Sequence, residues 1–399
     1  MSLPSSCDVL IVGAGPAGSA AAIVLARAGL RVVLTDARTF PRDKVCGDGL
    51  ISDALAALAT LGIRDRVLRM AAAGPAFCIQ PPWGRLVSLR GEFACLPRER
   101  LDALLVETAR EAGAQVLCGV TGAGPVLEAA RVQGARVTAA GGGGTIRAPV
   151  TLLATGANAT ALKAFGLAAS SQPSAVAGRA YYEAPPALVE EFRGLIIGYD
   201  RDWCPGYGWI FPSPGGRFNI GVGLFTRAAG ERRLRAFWEA FISRFPVAAR
   251  IVRASKPLGP FRGAPLRTAL AGASFGRAGL LTIGEAASLT YAATGEGIGK
   301  AMESGILAAR LAVEALGGHR PLETLHAAYE RQFTDAFALR YHAYSVAQAW
   351  AANPLVLSLL AARTNAGTFA RQELEDLLAE RGDARRLFSK RGLLKTIFR

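Results

Sequence analysis

The sequence predicts an α/β protein in which a Rossmann-type nucleotide-binding domain carries an inserted α+β lobe with an antiparallel sheet, followed by a helical C-terminal region. Three observations support this fold class: a glycine-rich strand–helix–strand unit at residues 9–36, aromatic and glycine-rich β-like segments at 172–270, and a second strand–helix unit at 279–316. With 399 residues, the chain is longer than one core usually supports, so two lobes around a shared site are expected.

The first unit reads "CDVLIVGAGPAGSAAAIVLARAGLRVVLTDAR". The apolar run Val9 to Val12 predicts a strand buried on both faces. Ser19 to Ala28 predicts a helix that Gly29 ends, and residues 31–35 predict a second strand, which Asp36 ends. A lone GxGxxG motif is weak evidence, but strand, helix, strand and acid follow here in the right order, which predicts a dinucleotide site.

Each residue of this motif has a physical role. Gly13 allows the tight turn, Gly15 lets the backbone approach a pyrophosphate, and Gly18 lets the helix pack closely on the strand. The helix N-terminus offers unpaired N–H groups to the phosphates, and Asp36 can accept hydrogen bonds from a ribose. The motif alone fits NAD or FAD, whereas its position at the start of the chain and the segments downstream favour FAD. The other predicted cofactor contacts of this unit are Ala17 and Ala37.

Residues 97–112 predict a helix with one apolar face. Arg98 stands at its start, where a cation is unfavourable for the helix dipole, so this side chain either contacts a pyrophosphate or is an ordinary exposed arginine. Residues 114–155 predict short strands with glycine-rich turns. The strand at 151–154 and the turn at Gly156 predict another strand–helix unit of the nucleotide-binding domain.

Residues 172–270 predict the second lobe, an antiparallel sheet with a helix at 231–244. Its segment "CPGYGWIFPSPGG" places Tyr207, Trp209 and Phe211 on one face of a strand, because side chains alternate along a strand. Two interpretations stay open. The aromatic stripe packs a core, or, together with Pro212, it lines a site for a large apolar ligand.

Residues 279–316 return to the nucleotide-binding pattern. A strand at 280–283 meets Gly284 and Glu285, and "TGEGI" at 294–298 opens a long helix. A glycine-rich turn at a helix N-terminus suits an anionic or electron-rich ligand. The predicted units are a discontinuous cofactor domain (1–75, 97–170 and 272–316), a substrate lobe (76–96 and 171–271) and a helical C-terminal region (317–399).

The net charge of +15 favours anionic partners: phosphorylated cofactors, acidic substrates or anionic membranes. Nucleic acid is not expected as a partner, because the sequence has no zinc finger, RNP motif or basic-region helix. From residue 381 the tail mixes basic and apolar residues. It is either a solvated, frayed terminus or a membrane contact that lies on the surface.

The six cysteines are scattered and contain no CxxC pair, which predicts neither a zinc site nor a disulfide scaffold and favours a reducing cytoplasm. No metal ligand cluster is expected. The three histidines all fall in the C-terminal region and no GxSxG elbow is present, so serine hydrolysis is set aside. No apolar stretch is long enough to predict a membrane-spanning helix.

Four segments, taken together in this order, resemble the geranylgeranyl reductase family of FAD-dependent oxidoreductases, which has the para-hydroxybenzoate hydroxylase fold. They are "GAGPAGSAAA" with Asp36, "KVCGDG" (44–49), "YGWIFP" (207–212) and "IGEAASLTYAATGEGI" (283–298). The resemblance covers roughly residues 7 to 316, far more than one motif.

The resemblance implies an FAD cofactor and a position for the cysteine–glycine loop. Cys46 and Gly47 would lie at the isoalloxazine ring, where the thiol would influence hydride or proton delivery; the alternative is that Cys46 is a small packing residue. The stripe at 207–212 would line a prenyl-chain cavity. The remaining FAD contacts would be Arg98, Gly156, Glu285, Gly295, Gly297 and Ile298.

The sequence departs from the family pattern at several positions. Glu285 stands where the family has an aspartate, and Ser288 and Ala292 replace a glycine and a proline. The "DG" motif of the related hydroxylases is Thr155-Gly156 here. These changes argue against a typical aromatic hydroxylase and leave the substrate open.

Three functions are weighed. The first is a reductase that passes a hydride from flavin N5 to a C=C bond of a hydrophobic prenyl-like or natural-product substrate, with NAD(P)H or another external reductant as donor. The second is a flavin monooxygenase of a secondary-metabolite pathway; a halogenase is less well supported, because no lysine lies between 44 and 163. The third is a non-catalytic flavoprotein, which the complete cofactor motifs argue against.

Overall fold

The computed structural model describes residues 3–167, 173–225, 231–379 and 381–398. Its described strands, in chain order, are β1 (Val9–Val12), β2 (Val32–Asp36), β3 (Gly49–Leu50), β4 (Ala72–Gln80), β5 (Val87–Cys95), β6 (Gln115–Cys118), β7 (Thr121–Glu128), β8 (Arg131–Ala139), β9 (Gly142–Arg147), β10 (Val150–Leu153), β11 (Ala175–Glu183), β12 (Leu195–Gly198), β13 (Gly206–Ser213), β14 (Arg217–Leu224), β15 (Lys256–Pro257), β16 (Arg262–Leu266), β17 (Gly276–Arg277) and β18 (Leu280–Thr282).

The described helices, in chain order, are α1 (Pro16–Arg27), α2 (Ser52–Thr60), α3 (Arg64–Met70), α4 (Arg98–Glu111), α5 (Ala159–Ala164), α6 (Pro186–Glu191), α7 (Glu231–Arg244), α8 (Pro246–Ala254), α9 (Ile298–Leu316), α10 (Leu325–Ala351), α11 (Pro354–Ala366), α12 (Phe369–Leu378), α13 (Ala384–Leu387) and α14 (Lys390–Phe398).

The cofactor side of the molecule is built on a six-stranded sheet in the order β17-β18-β10-β1-β2-β6. Its strands are parallel except for β17. All four side chains of β1 are buried, which explains its continuous apolar sequence. The helices α1, α4 and α9 pack on one face with their alanines and leucines in a single core. The carboxyl ends of β1, β2 and β10 therefore open toward one edge, where ligands bind in such sheets.

The second lobe is a nine-stranded sheet in the order β15-β11-β14-β13-β12-β4-β5-β3, with β16 paired to β11. Its pairs are antiparallel apart from β12 with β4. The short edge strand β3 lies directly after the cysteine–glycine loop and pairs with β5. This pairing ties that loop to the substrate lobe. A separate three-stranded sheet, β7-β8-β9, packs against the cofactor side.

The predicted fold class is confirmed, and most predicted elements appear with shifts of a few residues. The helix at 231–244 has the predicted bounds, whereas the first helix begins at Pro16 rather than Ser19 because proline is favoured in a first turn. The domain boundaries stay a prediction, and the one at 170–171 lies outside the described residues. Strand β4 begins at residue 72, inside the stretch predicted for the cofactor domain.

The C-terminal region is helical, as predicted. Helix α14 packs against α11, and the Arg363 guanidinium donates a hydrogen bond to the Thr396 carbonyl at 3.1 Å. The described tail is therefore a packed helix rather than a frayed end. Among the described helices, none is by itself long and apolar enough to cross a membrane; a pair bent by 108°, Leu322–Ala351 with Pro354–Ala366, meets the length and composition criteria together.

Candidate FAD and substrate site

The glycine loop after β1 has the geometry that a pyrophosphate needs. Gly13 adopts a left-handed φ of +108°, and a Cβ there would lie 2.4 Å from the Ala154 carbonyl oxygen. At Gly18 a Cβ would lie 1.9 Å from the Gly13 oxygen, so the helix and the turn touch through their backbones. Gly15 is different: a Cβ there would meet one atom within 4 Å, Arg42 Nη2 at 4.0 Å. Open space therefore lies in front of the N-terminus of α1.

Asp36 ends β2 beside this loop. Its Oδ2 accepts a hydrogen bond from the Ala14 backbone N–H at 2.9 Å, and its Oδ1 accepts one from the Arg38 N–H at 2.9 Å. The predicted cofactor contact Ala37 lies between Asp36 and Arg38 in the chain and is exposed. The predicted contact Ala17 is buried in the first turn of α1. The carboxylate is thus fixed at the mouth of the loop, where a ribose would reach it.

Two arginines lie close to this loop, in different roles. Arg98 is buried, and its guanidinium donates to both oxygens of Asp102 at 2.7 and 2.8 Å; it is not the ordinary exposed arginine of the alternative interpretation. Arg42, which the sequence analysis missed, bridges Asp102 at 3.1 Å and Asp36 at 3.8 Å and lies in front of Gly15. Arg42 is therefore the cation best placed for a pyrophosphate, and the same role for Arg98 stays a prediction.

The cysteine–glycine loop is held by a buried polar network around Asp48. The Asp48 carboxylate accepts hydrogen bonds from the Arg98 backbone N–H at 3.2 Å, from Asn219 Nδ2 at 2.8 Å and from the Tyr181 hydroxyl. Asn219 Nδ2 also donates to the Cys46 carbonyl at 2.8 Å, and the Asp48 N–H lies 3.4 Å from Cys46 Sγ. The thiol is consequently fixed from both lobes.

Burial raises the pKa values of two members of this network. Burial raises the pKa of the Cys46 thiol and the nearby Asp48 carboxylate adds to this effect, while Arg98 opposes it, so the thiol is protonated at neutral pH. Burial also raises the pKa of Asp48 to about 6, against the hydrogen bonds from Tyr181 and Asn219. The loop therefore carries a thiol that is protonated at neutral pH and a carboxyl group that exchanges its proton at a pH slightly below neutral.

The predicted aromatic stripe lies along β13 and spans two loops. The Tyr207 hydroxyl donates to the Thr294 carbonyl, next to Gly295, whereas Trp209 and Phe211 lie where a Cβ on Gly47 would contact them at 3.4 and 3.2 Å. Tyr207 and Trp209 are buried, Phe211 is half-buried, and Pro212 is buried on the same strand. The stripe thus connects the cysteine–glycine loop with the "TGEGI" turn. Its role as substrate lining stays a prediction.

Glu285, at the position where the family resemblance implies an aspartate, contacts a lysine and a backbone N–H. Lys44 Nζ lies 3.3 Å from Glu285 Oε2, and the Arg267 backbone N–H donates to Oε1 at 3.3 Å. Gly156, with φ of +63°, faces the same pair: a Cβ there would lie 3.4 Å from Lys44 Nζ and 3.7 Å from Glu285 Oε2. The longer acid is accommodated because Lys44 reaches it from the cysteine–glycine loop.

The "TGEGI" turn closes the site on the other side. Gly295 has φ of +65°, and a Cβ at Gly297 would lie 2.7 Å from Thr290 Oγ1, so both glycines are required by close packing. Ile298 is buried and begins α9. The N-termini of α1 and α9 and the cations Arg42 and Lys44 therefore belong to one group of loops. This arrangement supplies N–H donors and positive charge, which suits a dinucleotide diphosphate.

The residues present fit FAD. Gly15 leaves an open space in front of α1 into which a side chain at this position would project. Asp36 and Arg42 border this space. Within the part of the chain that the structure describes, no group of three His, Cys, Asp or Glu side chains could hold a metal ion. The six cysteines are free thiols.

The comparisons with known proteins support this cofactor. The family model described as FAD binding domain matches residues 6–338. The menaquinone reductase of Mycolicibacterium smegmatis is 35% identical over 321 residues, which cover 76% of each chain. The digeranylgeranylglycerophospholipid reductase of Methanosarcina mazei is 31% identical over 340 residues, 82% of this chain and 80% of the relative.

The solved structures show the fold. The chain is similar to a geranylgeranyl bacteriochlorophyll reductase-like protein from Thermoplasma acidophilum, with a TM-score of 0.78 and 23% identity over 99% of this chain and 96% of that one. At this identity the likeness concerns the fold alone. The glycine loop, the Asp48 network and the "TGEGI" turn all lie within the residues that the FAD binding domain model matches.

Proposed function

We propose, from the premise that this chain belongs to the geranylgeranyl reductase family of FAD-dependent oxidoreductases, that it reduces C=C bonds in a hydrophobic, prenyl-like substrate. Relatives at 31–35% identity are named as reductases of a quinone and of a prenylated lipid. Both named substrates are hydrophobic molecules, and the aromatic stripe of β13 suits such a molecule.

The observation that carries the proposal is the position of Cys46, whose carbonyl is held by Asn219 in the loop that Trp209 and Phe211 cover. Bound FAD would supply the hydride, and Cys46 or Asp48 would supply the proton that a C=C reduction also consumes. The hydrogen bonds from Asn219 fix both residues, so the proton is held at one place. Trp209 and Phe211 pack against Gly47 on this side of the loop.

Arg42, Asp36 and the N-terminus of α1 would hold the cofactor diphosphate and ribose, while Gly295, Gly297 and Ile298 would face the ring. The chain has no second GxGxxG motif followed by an acid, so we propose that the external reductant, a nicotinamide or another donor, binds only transiently. The resident cofactor then carries electrons from this donor to the substrate.

The proposal is tested by anaerobic incubation of the FAD-loaded protein with a reductant and either menaquinone or a geranylgeranylated lipid. Mass spectrometry should show a product heavier by two hydrogens for each reduced double bond. The same incubation under ¹⁸O₂ is the control for oxygenation. Incorporation of ¹⁸O without hydrogen addition would replace the reductase with the monooxygenase hypothesis.

We further propose a cytoplasmic protein that contacts the membrane peripherally. Exposed basic residues of the C-terminal region, Arg385, Arg386, Lys390 and Arg391, lie close in sequence to the exposed Leu394. On the adjoining α11, Leu355 and Leu359 are exposed and share a helix face. Charge attraction to anionic lipid, together with insertion of such leucines, supports this interaction, and a lipid substrate would be reached from the same surface.

A further inference from the structure

A second cluster of ionisable side chains includes Glu296 of the "TGEGI" turn and extends behind it, away from the Cys46 side of the site. It joins Asp53 on α2 with Glu296, Lys300 and Glu303 at the start of α9. Asp53 and Lys300 are 1% and 0% exposed. Lys300 Nζ lies 3.4 Å from Asp53 Oδ2 and also contacts the Glu303 carboxylate. Full burial of these charges demands a structural or chemical reason, because such burial is costly.

The two inner carboxyl groups meet at the backbone of Gly299. The Gly299 N–H donates to Glu296 Oε1 at 2.7 Å, and a Cβ at Gly299 would lie 2.3 Å from the Asp53 carboxyl carbon. Their other oxygens, Glu296 Oε2 and Asp53 Oδ2, are buried and accept no hydrogen bond. These two adjacent buried carboxylates repel each other although Lys300 lies beside Asp53, and a proton bound by one of them removes that repulsion.

The charges around the Asp53–Glu296 pair also favour the binding of one proton. Asp53, Glu296 and Glu303 face Lys300, with Arg340 on α10 close enough to act on Glu303. Three acids against two bases leave one negative charge, which a single proton cancels. Burial, and then the Asp53 carboxylate, raise the pKa of Glu296 well above its ordinary value. Burial raises the pKa values of the other titratable groups that face the cluster, which are Tyr291, Tyr341 and Tyr344.

A route connects this pair with solvent. A surface cavity of about 630 Å³ is lined by Glu303, Arg310, Asp335 and Phe337, among others. The Glu303 side chain is 26% exposed and contacts Lys300, which in turn lies beside Asp53. Each neighbour in the series Glu303, Lys300, Asp53 and Glu296 is thus in contact with the next. A proton can exchange between the pair and water without crossing the candidate substrate site.

We propose that Asp53 and Glu296 bind one exchangeable proton at the N-terminus of α9 and that its binding is coupled to the redox state of the cofactor. This inference rests on the proposed function, which puts the flavin ring at Gly297 and Ile298. Reduction by an external hydride donor adds negative charge there, and a charged carboxylate pair would oppose it. Proton binding by the pair and electron binding by the cofactor therefore favour each other.

The external donor gives up one hydride and is oxidised, and the cofactor is reduced. The pair takes one proton from water through Glu303 and Lys300. When the hydride leaves with the substrate, the proton returns to water along the same route, and the substrate takes its own proton on the Cys46 side.

The test is the midpoint potential of the bound FAD as a function of pH, measured without substrate in the wild type, Glu296→Gln and the matched control Asp335→Asn. Asp335 lines the same cavity. The wild type should show an extra pH-dependent region where the pair titrates. Glu296→Gln should lack this region and have a higher potential than the wild type on its alkaline side, because glutamine resembles the protonated acid. The control should follow the wild type.

A second measurement needs no variant. The reduced-minus-oxidised infrared difference spectrum of the wild type should contain the carbonyl band of a protonated carboxylic acid that shifts in ²H₂O; where Glu296→Gln folds and binds FAD, that band should be missing. Coincident potentials in all variants, or a wild-type spectrum without the band, overturn the coupling and leave the reductase proposal untouched. Failure of C=C reduction with the predicted pH dependence intact would instead reject the proposed function alone.

Discussion

At the scale of single residues, we expect Gly15 to be needed for cofactor binding and not for folding. We predict that Gly15→Val folds but purifies without flavin, because the side chain would occupy the opening in front of α1, where protein atoms are at least 4.0 Å away. Flavin absorbance per protein and circular dichroism measure the two properties. Gly141→Val, in a turn where a Cβ meets nothing within 4 Å, is the control. A variant with full flavin content would refute the pyrophosphate assignment.

Cys46 has two interpretations that one substitution separates. We predict that Cys46→Ala retains FAD but lowers or redirects turnover, by about 10²-fold if the thiol is the proton donor, the usual size of acid–base catalysis. Product formation is followed by mass spectrometry, and Cys78→Ala, at a half-buried cysteine of β4, serves as the control. An unchanged rate and product profile would leave Cys46 as a packing residue.

Asp48 should make stability depend on pH with a definite sign. Its pKa is raised from 3.8 to about 6 in the folded protein, so its contribution is fully present below pH 3.8 and is lost as the pH rises through about 6. The slope is at most about 1.4 kcal/mol per pH unit, since the group binds one proton. Urea unfolding from pH 4 to 7 should show this loss in the wild type and its absence in Asp48→Asn. Parallel pH profiles would contradict the assignment.

Residues of the site differ in whether they can be predicted from the sequence. Gly13, Gly15 and Asp36 follow a local motif whose spacing carries the chemistry, so they could be predicted. Asp48 and Asn219 are ordinary polar residues 171 positions apart, and the contact exists only because β3 and β14 join one sheet. No local pattern encodes such a pairing, which is why the Asp48 network emerged from the structure alone.

At the scale of elements, the contact between α1 and α9 depends on a glycine that no cofactor motif contains. A Cβ on Gly305 would lie 2.2 Å from the Ala17 carbonyl oxygen, a backbone atom that cannot turn away. The sequence predicted α9 as a long helix that the "TGEGI" turn opens, but the close approach depends on the crossing of two helices. The sequence therefore indicated both helices and not the residue that lets them touch.

We predict that Gly305→Ala destabilises the protein by about 1–3 kcal/mol, the usual cost of overpacking, although alanine favours a helix. Thermal and urea unfolding of the FAD-loaded protein measure the change. Arg310→Ala, at an exposed position of the same helix, is the control for helix propensity and should change stability by less than about 0.5 kcal/mol. Equal stability of Gly305→Ala and the wild type would show that the helices separate without cost.

At the scale of the whole molecule, the positive charges behind the net charge of +15 differ between regions in whether an acid pairs with them. Near the cofactor site, positive charge is paired with acids: Arg42 with Asp36 and Asp102, and Lys44 with Glu285. At the C-terminal end, Lys390 and Arg391 are exposed beside leucines that face water. Composition predicted anionic partners but could not distinguish these two locations, because the packing of α14 on α11 is a tertiary contact.

The last prediction concerns this C-terminal surface. The full chain should bind vesicles that contain anionic lipid, and Lys390→Gln with Arg391→Gln should weaken binding roughly 30-fold, because each basic residue near an anionic surface contributes about 1 kcal/mol. Arg217→Gln with Lys256→Gln removes the same charge from exposed positions of the substrate lobe and should bind like the wild type. Co-sedimentation at rising salt measures the affinity, which should fall as charges are screened. Equal weakening by both double substitutions would mean that the net charge, rather than the tail, meets the membrane.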